Sequence, residues 1–198
     1  MHKHLKQVKK AYKGNYLKME IRELKNKIPY LYYICSIENA LGIIDQGLFS
    51  RNESLKRNLI KNDFSNDEVQ ELRAKKSVYL SNGLEVKLHD LVCLFFNPLN
   101  TTYYVAQRDS KSIKDKNLVV ICFSIEEILN DPTLAFAFTN KNASKEDVSW
   151  FNTLEEFDNI DFDTINGAYW PGPEWYGENF QNWRDTVAAE FLVYPYMK

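Results

Sequence analysis

The chain has little of what usually announces a chemistry. Its three cysteines, Cys35, Cys93 and Cys122, sit in apolar strand-like runs with no CxxC pair among them. No metal site or disulfide framework is indicated, and the thiols read as small buried hydrophobes. Of three histidines, His2 and His4 lie at the N-terminus, so a Ser-His-Asp or Cys-His arrangement would have to run through His89. Seven glycines form neither GxGxxG nor GxxxxGK(S/T), which withholds support from a Rossmann or P-loop nucleotide site. No apolar run approaches the roughly 18 to 20 residues that span a bilayer, and the basic, polar N-terminus lacks the apolar centre of a signal peptide. The expectation is a cytoplasmic protein without membrane contact.

What is present suits one globular domain over 1–198. Hydrophobic residues make up 44% and aromatics 14%, ample for a core at this length. A net charge of −2 argues against a general nucleic-acid coat. The charge is uneven, however: residues 1–27 hold eight Lys and one Arg against Glu20 and Glu23, while 145–190 hold eleven acids against Lys145 and Arg184. A basic helical arm over 1–28, with Leu5, Val8, Tyr12, Tyr16 and Met19 on one stripe, suits a phosphate backbone; a solvated helix face accounts for it equally.

Beyond Pro29, Tyr30–Ile34 reads as a strand. Ser36 then caps a helix with Ile37, Leu41 and Ile44 at helical spacing and Gly47 as its stop. Residues 51–83 form a polar insertion with a short helix opened by Ser65 or Asn66. Strands are expected at Leu91–Phe96, Tyr103–Ala106, Leu118–Phe123 and Leu134–Phe138. Helices are expected after the Ser124–Glu127 capping box, from Ser144 to Asp147, and from Thr153–Glu156. Short strands broken by short helices make an α+β fold with a mixed, mostly antiparallel sheet.

One residue does not fit its surroundings. Ala189-Glu190-Phe191-Leu192-Val193 has the character of a buried strand, with Glu190, Leu192 and Tyr194 on one face. A core-facing carboxylate costs several kcal/mol unless paired, so Glu190 either faces water on an edge or lines a cleft.

Four stretches, in order, resemble the DarT-type DNA ADP-ribosyltransferases, toxins that transfer ADP-ribose from NAD to a base in single-stranded DNA. They are "LYYICSIENALGIIDQGL", "VQELRAKKSVYLSNGLEVKLHDLVCLFFNPLNTTYY", "LVVICFSIEEIL" with "FAFTNKNAS", and "AAEFLV". The resemblance implies an ADP-ribosyltransferase fold in which Glu190 is the catalytic carboxylate. It would hydrogen-bond the ribose 2′-hydroxyl, stabilise positive charge as the nicotinamide bond breaks, and accept a proton from the attacking base. Arg73 matches the family's arginine at the NAD site, where a guanidinium grips pyrophosphate or polarises the acceptor. Arg51 and Arg57 compete for that role.

The resemblance also implies dinucleotide contacts from Asn39 and places the 51–83 insertion beside NAD and substrate. His89, with Asp90, orients the next loop or serves as a structural histidine. Tyr103 packs in the core or stacks on nicotinamide. Tyr33 and Cys35 stand where the family has a histidine and, two residues on, a threonine that bond NAD; the phenol can replace one such bond, whereas the thiol is a weak donor. A loop over 166–188 carries Tyr169, Trp170 and Trp175, with Tyr176 and Trp183, either as stacking platforms for unpaired bases or as aromatics that fold the loop over the core. The implied partners are NAD, single-stranded DNA and a macrodomain-type antitoxin, in a bacterial toxin–antitoxin or phage-defence pair. Rival readings are an NAD glycohydrolase and a nucleic-acid- or protein-binding module without catalysis, which an exposed Glu190 away from Arg73 would favour.

Overall fold

Residues 21–27 are helical and Pro29 ends them, leaving strand β1 to run from Tyr30 to Ser36. The computed structural model describes residues 21–63, 65–108, 118–167 and 179–198. Ser36 caps the following helix, Ile37–Gln46, by accepting from the Asn39 amide. Gly47 ends it at φ 96°, where a side chain would meet the Met197 carbonyl at 2.6 Å. Only glycine suits that approach.

Strands β2 (Leu48–Phe49), β3 (Ser77–Tyr79) and β4 (Glu85–Lys87) lie outside the main sheet, in which β5 (Val92–Phe95), β6 (Leu118–Ser124), β7 (Ala135–Thr139), β8 (Trp150–Phe151) and β9 (Glu190–Tyr194) join β1 in the order β6-β1-β5-β9-β7-β8. Every pairing in it is antiparallel, in keeping with an α+β fold, where a mixed, mostly antiparallel sheet is expected. β1 pairs with β6 over seven residues, yet with β5 only at Tyr32↔Phe95. The sheet therefore parts between β1 and β5 beyond that single row.

β9, between β5 and β7, is covered on both faces. Phe191 and Val193 enter an aromatic core with Phe96, Phe138 and Phe157, in which the Phe138 and Phe157 rings stack at 4.0 Å. Leu192 enters a second core of smaller residues, including Val78, Leu80, Leu88, Ala135, Ala137 and Ala143. Alternation puts Glu190 on that second side.

Three expectations change. Tyr103–Ala106 is not a strand but part of a helix, Thr101–Arg108. Buried Asn100 accepts from the Thr102 and Tyr103 amides, and this local cap overrides β propensity. Ser144–Asp147 forms turns rather than a helix, because Asn142 captures both the amide and hydroxyl of Ser144. In the Ile37–Gln46 helix, Ile37, Leu41 and Ile44 are 44%, 65% and 79% exposed, while Ala40 is buried and Ile43 packs against the aromatic core. The inward stripe is thus rotated from the one the spacing suggests.

These placements predict opposite responses to truncation. Phe138→Ala should lower unfolding free energy in urea by about 3–5 kcal/mol. Leu41→Ala should change it by less than about 0.5 kcal/mol; a larger loss would mean that this face is covered.

Candidate active site

Glu190 is the first residue of β9, opposite Phe95 of β5. Its amide donates to Thr139 Oγ1 at 3.0 Å, and that hydroxyl donates to the Lys141 carbonyl at 2.6 Å. The start of the strand and the turn after β7 are thereby fastened together. The side chain points into the protein and the residue is 1% exposed.

What makes this burial tolerable is Arg73. Its Nη1 donates to Glu190 Oε1 at 2.7 Å and its Nη2 to Oε2 at 2.8 Å, a two-pronged pair. The Ala143 amide adds a third donor, 3.0 Å from Oε1. Arg73 Nη2 also lies 2.8 Å from Cys93 Sγ. Removing one member of so buried a pair costs about 3–5 kcal/mol, because the other charge is left without a partner. Burial alone would oppose the guanidinium's charge, but the Glu190 carboxylate outweighs it and holds Arg73 above its ordinary pKa. Burial pushes the Cys93 thiol up to about 12 against the pull of Arg73, so Cys93 is a neutral thiol here.

Arg73 is delivered by the helix Asp67–Ala74, capped by the Asn66 side chain. Its neighbour Leu72 is 46% exposed while Arg73 is only 7% exposed. A helix that turns its leucine out and its arginine in is organised around the arginine's partner, and a cation in the last turn also suits the helix dipole.

A second group borders the opening between β1 and β5. Burial, then the neighbouring Cys35 and Cys93 thiols and Asp63, raise the Tyr33 phenol, with Arg51 acting oppositely. Buried Cys35 is pushed up to about 11 by desolvation. Arg51 Nη1 pairs with Asp63 at 3.0 Å and reaches Ser65 Oγ at 3.3 Å. Asn39 is occupied by the 61–62 loop: its Oδ1 accepts from the Lys61 and Asn62 amides, and its Nδ2 donates to the Asn62 carbonyl at 2.7 Å. His89 Nε2 lies 3.1 Å from Gln70 Oε1, and Asp90 accepts from Asn52. The turn before β5 is thus tied to two helices of the insertion, Arg51–Lys56 and Asp67–Ala74.

The structure joins Glu190 and Arg73 directly; His89 feels the charge of Arg73, and Tyr33 neighbours Cys35, Cys93 and Arg51. Tyr103 is half-buried on a helix whose first residue, Thr101, donates to the Arg184 carbonyl. Arg57 lies over the Phe49 ring and pairs with Glu53, apart from this group. Tyr169, Trp170, Trp175 and Tyr176 lie outside the described residues. Trp183, read as a stacking platform, is instead buried in the helix Phe180–Thr186, its ring stacked on Phe180. Cys93, the Ala143 amide and Lys76, which holds the Ala143 turn, had no sequence signal of their own. A lysine three residues beyond Arg73 at a helix end was the nearest hint.

His89 supplies a pH dependence. Burial and the charges of Arg73 and Arg51 hold its imidazole below the usual value of 6.5, outweighing Asp90. A lowered folded pKa means stability that is present above pH 6.5 and lost as pH falls. Between pH 7 and 5 the wild type should lose more unfolding free energy than His89→Gln; equal slopes would mean the imidazole is not perturbed.

Comparison with known proteins bears directly on this arrangement. The family description "ssDNA thymidine ADP-ribosyltransferase, DarT" matches residues 32–198, which include Tyr33, Arg73 and Glu190. The chain is 26% identical over 166 residues to a DNA ADP-ribosyl transferase of Thermus sp. (strain 2.9), covering 83% of this chain and 74% of that protein. Its fold is similar to that of Thermus sp. 2.9 DarT in complex with ADP-ribosylated ssDNA, with a TM-score of 0.70, 24% identity, and coverage of 85% of this chain and 76% of that one. It is similar to the same protein in complex with NAD+ at a TM-score of 0.64 and 22% identity, with coverage again of 85% and 76%. With the match running through the buried Arg73–Glu190 pair, the chain belongs to the DarT family.

Proposed function

We propose that this chain is an NAD-dependent ADP-ribosyltransferase that modifies a base of single-stranded DNA. The observation that carries the reading is the buried Glu190 carboxylate, gripped by Arg73 and the Ala143 amide at the head of a central strand. An exposed acid away from Arg73 would have favoured a binding module without catalysis, and here it is neither. The surrounding residues fit a dinucleotide in charge: Arg51 and Arg73 both act electrostatically on His89, and Arg51 also on Tyr33 beside the parted strands.

Bound there, NAD would supply an ADP-ribosyl group whose bond to nicotinamide breaks as positive charge develops on the ribose. Arg73, Arg51 and Tyr33 are the residues proposed to hold it, with His89 and Asn39 fixing the loops around them. Oε1 of Glu190 accepts two hydrogen bonds and Oε2 only one, so Oε2 keeps an acceptor site. Because the carboxylate is buried, Arg73 must move away from Oε2 before a ribose hydroxyl can reach it. The Ala143 amide keeps Oε1 in place through that exchange, and the guanidinium becomes available for phosphate oxygens or the acceptor base. Glu190 then supplies fixed negative charge opposite the developing positive centre and an acceptor for the base proton.

We further propose thymine or guanine as the acceptor base, Tyr103 as a packing residue beside the site, and Tyr169, Trp170 and Trp175 as base-stacking side chains. The family resemblance supports a toxin role, opposed by a macrodomain-type antitoxin.

The test is the intact mass of single-stranded oligonucleotides, each offering one kind of reactive base, after incubation with NAD. The wild type should add one ADP-ribose to one base, and Glu190→Gln should slow this by about 10²–10³-fold. Modification by Glu190→Gln at the wild-type rate would remove Glu190 from the reaction. NAD loss without any gain on DNA would favour hydrolysis.

A further inference from the structure

Lys76 follows directly on the helix that carries Arg73 and its cap Lys75. Its amide donates to the Arg73 carbonyl at 3.1 Å, and its own carbonyl accepts from the Leu88 amide at 3.0 Å, so its backbone is fixed between helix and turn. Its half-buried side chain crosses to the turn after β7. There Nζ donates to the Ala143 carbonyl at 2.9 Å and to the Lys145 carbonyl, with the Trp150 ring 5.9 Å away.

Ala143 is therefore held at both ends: its N–H by Glu190 Oε1 and its C=O by Lys76. The turn has other anchors, since the Asn142 amide donates to the Asp185 carbonyl and Lys145 pairs with Asp185 at 3.0 Å. Those anchors act at residues 142 and 145, whereas Lys76 also acts on residue 143 itself. An ammonium that orders a long side chain to bridge two carbonyls of one turn gives up several rotors for that purpose. Residues 73 and 76 thus hold the same carboxylate by two routes, one direct and one through the backbone.

We propose that Lys76 is a positioning residue for Glu190, acting through the 143–145 turn. The inference rests on the catalytic reading of Glu190. When Arg73 releases an oxygen, the Ala143 amide is the contact that keeps the carboxylate aimed, and Lys76 keeps that amide aimed. The expected consequence lies in turnover rather than in NAD affinity.

Two readouts on the full chain test this, one without substrate. In the first, amide hydrogen exchange is followed by NMR in wild type, Lys76→Met and Lys76→Arg. Lys76→Met should speed exchange at Ala143 by about tenfold or more while leaving Leu192 and Val193 of β9 unchanged, and Lys76→Arg should restore protection. In the second, oligonucleotide modification should show kcat falling by about 10–100-fold in Lys76→Met, with KM for NAD within about twofold and largely recovered kcat in Lys76→Arg. Unchanged exchange at Ala143, or faster exchange everywhere at once, would overturn the clamp. A normal kcat in Lys76→Met would overturn its role in the reaction. A wild type that modifies no DNA would overturn the catalytic reading alone, because the exchange result judges the clamp by itself.

Discussion

A carboxylate buried at the head of a central strand is the constraint around which this fold is arranged. Glu190 has the core on both sides of its strand, and water is not available to it. Its stability depends on Arg73 supplying two parallel donors and Ala143 a third, since an unpaired buried charge costs more than a domain's margin readily absorbs. The short helix Asp67–Ala74 earns its place largely through that one inward arginine. The turn after β7, with Thr139, Ala143 and Lys76, is ordered about the same acid.

The parting of β1 from β5 gives that pair its setting. Long pairing of β1 with β6 and a single paired row to β5 leave Tyr33, Cys35 and Cys93 along the opening, with Arg51 and Arg73 serving it from the insertion. The helical part of the insertion, residues 51–74, is held by side chains more than by a core: Asn39 binds the 61–62 loop, His89 meets Gln70, and Asn52 meets Asp90. Few apolar contacts and many polar ties describe a segment able to rearrange at modest cost. Release of Glu190 by Arg73 needs such a segment.

Much of the fold is legible in the sequence wherever structure is set locally. Ser36, Asn66, Ser124 and Thr153 each announce a helix start and each caps one. The failures come where a more distant or more specific contact decides. Tyr103–Ala106 has strand composition, but Asn100 caps it into a helix; Ser144 begins no helix, because Asn142 holds it in a turn. At the site, Glu190 stands out as the one acid in an apolar strand. Its partner lies 117 residues away, a distance over which periodicity carries no information, so Arg73 came only from family resemblance. A backbone donor such as Ala143 has no side-chain signature at all, and Lys76 reads like any helix-end lysine until its carbonyl partners are seen.

Fold and proposed chemistry meet in the coupling between Arg73 and Glu190, which a double-mutant cycle measures directly. Unfolding free energies of wild type, Arg73→Met, Glu190→Gln and the double variant would be compared in urea at one pH. The account predicts that the double variant loses less than the sum of the single losses, with a coupling of about 2 kcal/mol or more. Additive losses, within about 0.5 kcal/mol, would contradict it and leave the buried acid without the partner on which the rest of the site depends.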